Sequence, residues 1–170
     1  MNVFIIAVIS ADGFIAERTD QISTSWTTKE DRRFFSERTK EAGVIVLGYT
    51  TYKTIGKPLP DRLNIVYSTT ADIEGVEVTQ KDPAQLLKDL EARGFKEVAI
   101  CGGSQVYTMF MKAGLVDKLY LTIEPVLFGD GIKLFRDSLN VNLELVAMRK
   151  LGDSTMLLEY NIKKSDKENQ

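Results

Sequence analysis

Short runs of Val, Ile and Leu recur along the chain, separated by segments whose apolar positions repeat with a helical period. Unbroken apolar runs are the pattern of strands buried on both faces of a sheet, so the alternation predicts an α/β fold. The strand candidates are Val3–Ile9, Val44–Leu47, Leu63–Tyr67, Val98–Cys101 and Leu119–Ile123, with a weaker run at Val76–Val78. Helices are expected over about 27–42, 83–93 and 104–112. Asp82 before Pro83 reads as a cap followed by proline at the first helical position, and Gly94 closes that helix. Near the C-terminus, Leu143–Met148 and Thr155–Ile162 flank Gly152-Asp153 and read as an antiparallel hairpin at one edge of a mostly parallel sheet. The expected organisation is one domain over 1–163, followed by a charged, frayed tail at 164–170.

Composition narrows the chemistry. Among 170 residues there are 22 basic and 24 acidic side chains, a net charge of −2, which offers no general attraction to nucleic acid or anionic membrane. No run approaches the length of a membrane span, and the apolar start Met1–Ile9 lacks a basic leader and soon meets Ser10, Asp12 and Gly13, so a buried strand in a cytoplasmic protein is expected. Histidine is absent and Cys101 is the single cysteine. That excludes His-based nucleophile pairs, imidazole bases, internal disulfides and His- or Cys-rich metal sites.

Carboxylates are then the natural proton carriers, and the start of the first helix supplies two, Glu30 and Asp31. At about 100° per residue, Phe34, Phe35, Arg38 and Ala42 fall within about 60° of Asp31, which places Asp31 on the inward stripe, whereas Glu30 lies about 100° away at its border. A carboxylate on an apolar face has its pKa raised above the ordinary value of about 3.9, which suits a proton donor. Helix capping competes with this reading, since Thr27 and Glu30 have the spacing of a capping box. Gly102-Gly103 follows a buried strand and opens a helix; it permits close backbone approach by a ligand and leaves N–H groups for phosphate, or it is a plain strand-to-helix turn. Hydroxyl clusters after two other strands, Tyr49-Thr50-Thr51-Tyr52 and Ser68-Thr69-Thr70, lie where open α/β sheets bind ligands, although caps and turns use the same residues.

Taken in order, several motifs resemble dihydrofolate reductase: Trp26, then Asp31 and Phe35; Gly48-x-x-Thr51-Tyr52; Ile55-Gly56-Lys57-Pro58-Leu59-Pro60-x-Arg62-x-Asn64; Gly102-Gly103-x-x-Val106-Tyr107; and Leu119-Tyr120-Leu121-Thr122. The resemblance implies a three-layer fold with a central sheet of about eight strands, NADPH across the strand ends and dihydrofolate in an adjoining cleft. It assigns Asp31 to the pterin and to proton transfer, with Thr122 supporting it and Trp26 closing the water-bearing side. It also implies Ile5, Phe35, Ile55, Arg62 and Tyr107 at the substrate, Arg62 pairing with the glutamate tail.

For the cofactor it implies Ala7, Ile15 and Ala16 near the nicotinamide. Gly48, Tyr49, Thr50, Thr51, Ser68, Thr69 and the run Cys101, Gly102, Gly103, Ser104, Gln105, Val106, Tyr107 complete that site, with a cis Gly102–Gly103 peptide. No metal is expected, and the protein is expected to be a monomer or homodimer. Two segments depart from the pattern: Ser10–Ala16 and Pro125–Phe135 are similar to the reductase domain of the riboflavin-pathway deaminase/reductase. Tyr49 and Gln105 stand where folate reductases commonly carry Arg. An aminopyrimidine reductase is therefore the first alternative, and a non-catalytic nucleotide-binding module of the same fold the second.

Overall fold

The computed structural model describes residues 1–70 and 72–163, so the tail expected at 164–170 lies outside the described residues. The chain runs β1 (Asn2–Ser10), β2 (Phe14–Ala16), α1 (Lys29–Ala42), β3 (Val44–Gly48), α2 (Tyr49–Ile55), β4 (Leu63–Tyr67), β5 (Glu77–Thr79), α3 (Pro83–Ala92), β6 (Glu97–Ile100), α4 (Ser104–Lys112), β7 (Lys118–Glu124), β8 (Ile132–Lys133), β9 (Leu143–Lys150) and β10 (Met156–Ile162). Eight strands form the main sheet in the order β5-β4-β3-β6-β1-β7-β10-β9, parallel from β5 to β7 and antiparallel for β10 and β9. This is the mostly parallel sheet with a C-terminal hairpin that the apolar pattern predicts.

Side-chain alternation along the central strands builds two cores and hence three layers. Val3, Ile5, Val44, Val46, Val98 and Ile100 pack with Leu86, Leu87 and Leu90 of α3 and Val106 and Phe110 of α4. On the other face Phe4, Ile6, Ile45, Leu47 and Ala99 pack with Ala42, Phe34 and Phe35 of α1 and Tyr52 and Ile55 of α2. The α3 cap is as expected: Asp82 accepts from Ala84 N–H at 2.9 Å, Pro83 takes the first position, and Gly94 follows at φ +92°.

Three elements differ from the sequence reading. The first cap is Thr28 rather than Thr27, its hydroxyl accepting from Asp31 N–H, and Glu30 is exposed and takes no part. The one-residue shift follows from a tertiary contact, since Glu124 accepts from both Thr28 N–H and the Thr28 hydroxyl. The short helix α2 occupies the hydroxyl cluster Tyr49–Thr54, where three Thr residues depress helix propensity, and Gly56 ends it at φ +78°. Finally β2 and β8 form a separate two-stranded sheet.

Candidate functional site

The C-terminal ends of β1, β3, β4 and β6 open into one cavity of about 1350 Å³. Two glycine corners form its centre: Gly48, where β3 turns into α2, and Gly102-Gly103, where β6 turns into α4. The corners touch, with Gly48 N–H donating to Gly102 carbonyl at 2.7 Å, and a side chain at Gly48 or Gly103 would press on its neighbours. A Cβ on Gly48 would stand 3.2 Å from Val106 Cγ2, and one on Gly103 3.1 Å from Thr51 Oγ1. The Gly102–Gly103 peptide is cis.

The first turn of α4 faces the cavity without a side-chain cap, so its leading N–H groups lack intrahelical partners. Ser104 there is 5% exposed, and its hydroxyl has no hydrogen-bond partner among the described residues. Arg136, from the segment after β8, reaches the same turn and donates from Nη1 to Gln105 Oε1 at 3.3 Å. Among the described residues Arg136 makes no ion pair. Tyr49 has Lys53 Nζ at 5.0 Å from its ring centroid, whereas Lys81 is paired with Asp89. Val106, Cys101, Thr50, Ser68 and Thr69 also line the cavity.

At the other end α1 contributes Asp31 and Phe35, with Ile55, Leu59, Pro60 and Arg62 opposite. Asp31 is only 7% exposed, and burial raises its pKa from 3.8 to about 6. A hydrogen bond to Thr122 and the charge of Arg32 pull the other way, while the charge of Glu124 reinforces the rise. Arg62 is held in place through Nε on Pro60 carbonyl at 2.9 Å and Nη1 on Ser36 carbonyl and Thr39 Oγ1. The Tyr107 hydroxyl donates to Ile6 carbonyl at 2.9 Å, and its burial raises its pKa well above 10. Thr27 Oγ1, facing the cavity beside α1, is buried without a partner among the described residues.

β2, with Ile15 and Ala16, lines the middle of the cavity, and the turn before it is fastened from below. Asp12 accepts from Ser10 Oγ at 2.6 Å and from Gly129 N–H at 2.6 Å, and its pKa is lowered by these bonds. β2 pairs with β8 above that latch. The two segments that depart from the folate-reductase pattern are thus partners in one structure.

Three expected site residues do not line the cavity. Ile5 is fully buried on the α3/α4 side of β1, and the cavity wall begins one residue later, with Ile6, Ala7 and Val8. Trp26 lies edge-on to Phe128 with centroids 5.0 Å apart, and its indole N–H is buried without a partner among the described residues. Thr122 is 1% exposed and sits behind Asp31. Residues without a sequence signal for the cavity include Thr27, Lys133 and Arg136 in its wall, and Glu124 just behind it.

The dihydrofolate reductase family model matches residues 2–132. The chain belongs to the dihydrofolate reductase family. A dihydrofolate reductase of Buchnera aphidicola is 30% identical over 132 residues, covering 76% of each chain. Among solved structures, dihydrofolate reductase from Enterococcus faecalis in complex with NADP(H) superposes with a TM-score of 0.77 at 26% identity, over 96% of this chain and 97% of that one. A Shewanella sp. PV-4 protein provisionally assigned to riboflavin biosynthesis superposes with a TM-score of 0.81 at 22% identity, over 96% and 100%, a likeness of fold. Membership brings oxidoreductase chemistry on small-molecule substrates, and among the described residues no helix is long and apolar enough to cross a membrane.

Proposed function

We propose that the chain is a dihydrofolate reductase in which Asp31 manages the proton taken up at N5 of 7,8-dihydrofolate as hydride arrives at C6. Asp31 carries the reading: it is a carboxylate on the wall of a partly apolar cavity, with a pKa near 6 and no histidine to compete for the role. At that value about a tenth of the groups hold a proton at pH 7, enough for a general acid working directly or through water. Phe35 and Ile55 offer flat apolar surface for a planar ring, and Thr27 Oγ1 offers a hydrogen bond beside it. The fixed Arg62 guanidinium suits a carboxylate tail.

The residues opposite fit NADPH, which supplies the hydride when bound. Ser104 Oγ, the α4 N-terminus and Arg136 would hold a phosphate group, with Ala7, Ile15 and Ala16 beside the nicotinamide. Arg136 supplies at Gln105 a cation that the sequence pattern lacks, and Lys53 stands near Tyr49. Tyr107 closes the floor by satisfying Ile6 carbonyl.

The latch of Asp12 on Gly129 favours a second reading, an aminopyrimidine reductase, because it joins the two segments similar to the riboflavin-pathway reductase. A module without turnover is disfavoured by Asp31, since an idle buried carboxylate costs stability. The test is hydride transfer from NADPH to dihydrofolate across pH. The expected rate falls as pH rises through about 6, because the protonated acid is lost, and Asp31→Asn is at least about 100-fold slower near neutrality. A parent rate that rises through the same range, or an Asp31→Asn variant with the parent rate, would contradict the assignment.

A further inference from the structure

The last residue of β7, Glu124, is a carboxylate only 1% exposed that lies outside the cavity. Its Oε1 accepts from Thr28 N–H at 2.7 Å and Thr28 Oγ1 at 2.9 Å, and its Oε2 accepts from Thr155 Oγ1 at 2.7 Å. All three partners donate, the arrangement that suits an ionised acceptor. Thr28 is also the cap whose hydroxyl accepts from Asp31 N–H at 3.3 Å. One buried charge is therefore tied through a single residue to the turn that carries the cavity carboxylate.

We propose that Glu124 is a positioning residue that fixes both the place and the proton affinity of Asp31. Capping alone does not call for it, since Thr28 already serves the α1 N-terminus and a neutral acceptor could hold Thr28. A second negative charge in the same buried corner disfavours ionisation of its neighbour. The other groups there pull against it or stand apart. Arg32 on α1 favours the Asp31 carboxylate but spends Nη1 on Thr24 and Thr27 carbonyls, and Thr122 on β7 donates to Asp31. Tyr107 on α4 approaches as a neutral phenol, and Lys29 and Glu30 are exposed on the outer side of the turn. Burial does most to keep Asp31 protonatable near neutral pH, and Glu124 is the fixed charge that adds to it.

The inference rests on the proposed function only in its kinetic arm. In Glu124→Gln the amide oxygen still accepts from Thr28 and the amide N–H₂ can donate to Thr155, so the contacts survive while the charge goes. The ligand-free protein is titrated by carboxyl-carbon NMR, with Asp31→Asn identifying the signal. The Asp31 midpoint should fall by about one pH unit in Glu124→Gln and stay within about 0.3 of the parent in Thr155→Val, which loses a bond but keeps the charge. An unmoved midpoint in Glu124→Gln, or an equal fall in Thr155→Val, would overturn the proposal. Should Glu124→Gln not fold, Glu124→Asp carries the test: it keeps the charge and must keep the midpoint within about half a unit, and a full unit's fall would overturn it. The pH profile of hydride transfer to dihydrofolate should move down with the midpoint. If the NMR midpoint moves and no dihydrofolate turnover exists to follow, the function is misread while the Glu124 coupling stands.

Discussion

Replacing Asp31 by Asn should stabilise the ligand-free protein near neutral pH while disabling it. An acid whose pKa is raised on folding binds more protons in the native state, so stability falls as pH rises from the unfolded value toward the folded one, and stays low above it. For Asp31 that window runs from 3.8 to about 6. At about 1.36 kcal/mol per tenfold change, the ionised carboxylate costs up to about 3 kcal/mol above pH 6. Asn keeps the shape and a hydrogen bond to Thr122 without the charge, so a net gain of about 1–3 kcal/mol is expected. For a chain of this size that raises Tm by about 3–9 °C at pH 8. The assay is thermal unfolding of parent and variant from pH 4 to pH 8, taken as the difference so that other titrating groups cancel. The gain should shrink to a small fraction near pH 4, where Asp31 is protonated in the folded state and partly so in the unfolded one. A variant less stable at pH 8, or a gain independent of pH, would refute the claim that burial of a charge sets the Asp31 environment.

Arg62→Leu should raise KM for dihydrofolate by about tenfold or more and spare a dihydropterin without the glutamate; equal harm to both substrates would make Arg62 a structural brace for Thr39 and Pro60. Gly103→Ala places a Cβ 3.1 Å from Thr51 Oγ1 at the corner proposed to hold NADPH, so NADPH affinity measured by calorimetry should drop well beyond any change in Tm; normal affinity would leave the corner a simple turn. Arg136→Gln should weaken NADPH binding by about tenfold with little effect on unfolding, since Arg136 makes no ion pair among the described residues; unchanged affinity would remove it from the phosphate site. Tyr49→Arg should increase the preference for NADPH over NADH in kcat/KM, and no increase would mean that Lys53 or another cation already serves the 2′-phosphate.

Continuous apolar runs made the parallel strands legible, because strands covered on both faces carry no polar interruptions. The same continuity hides which face each residue takes, and Ile5, placed at the substrate by the family resemblance, is buried while Ile6 stands at the wall. Asp31 was legible because a helix turns its residues through space in a fixed order, and one carboxylate among Phe34, Phe35 and Ala42 breaks that pattern. Thr28 as the cap was not, since Glu124, distant in sequence, decides between two adjacent threonines. Arg136 carried no signal for the same reason: its approach to Gln105 depends on how the segment after β8 crosses α4, where Arg136 N–H meets Thr108 Oγ1. Asp12 and Gly129 were each visible as departures from one family pattern, but their bond follows from the paired loops.

The most direct test of the central claim is the loss of NADPH absorbance by the purified protein, measured in parallel with 7,8-dihydrofolate and with the ribosylamino-pyrimidine phosphate of the riboflavin pathway. Saturable turnover of dihydrofolate, with kcat/KM at least about 100-fold above that for the pyrimidine, is the predicted result. Turnover of the pyrimidine alone would transfer this cavity to the other reductase, and binding of NADPH without turnover of either would contradict the assignment of Asp31 to catalysis.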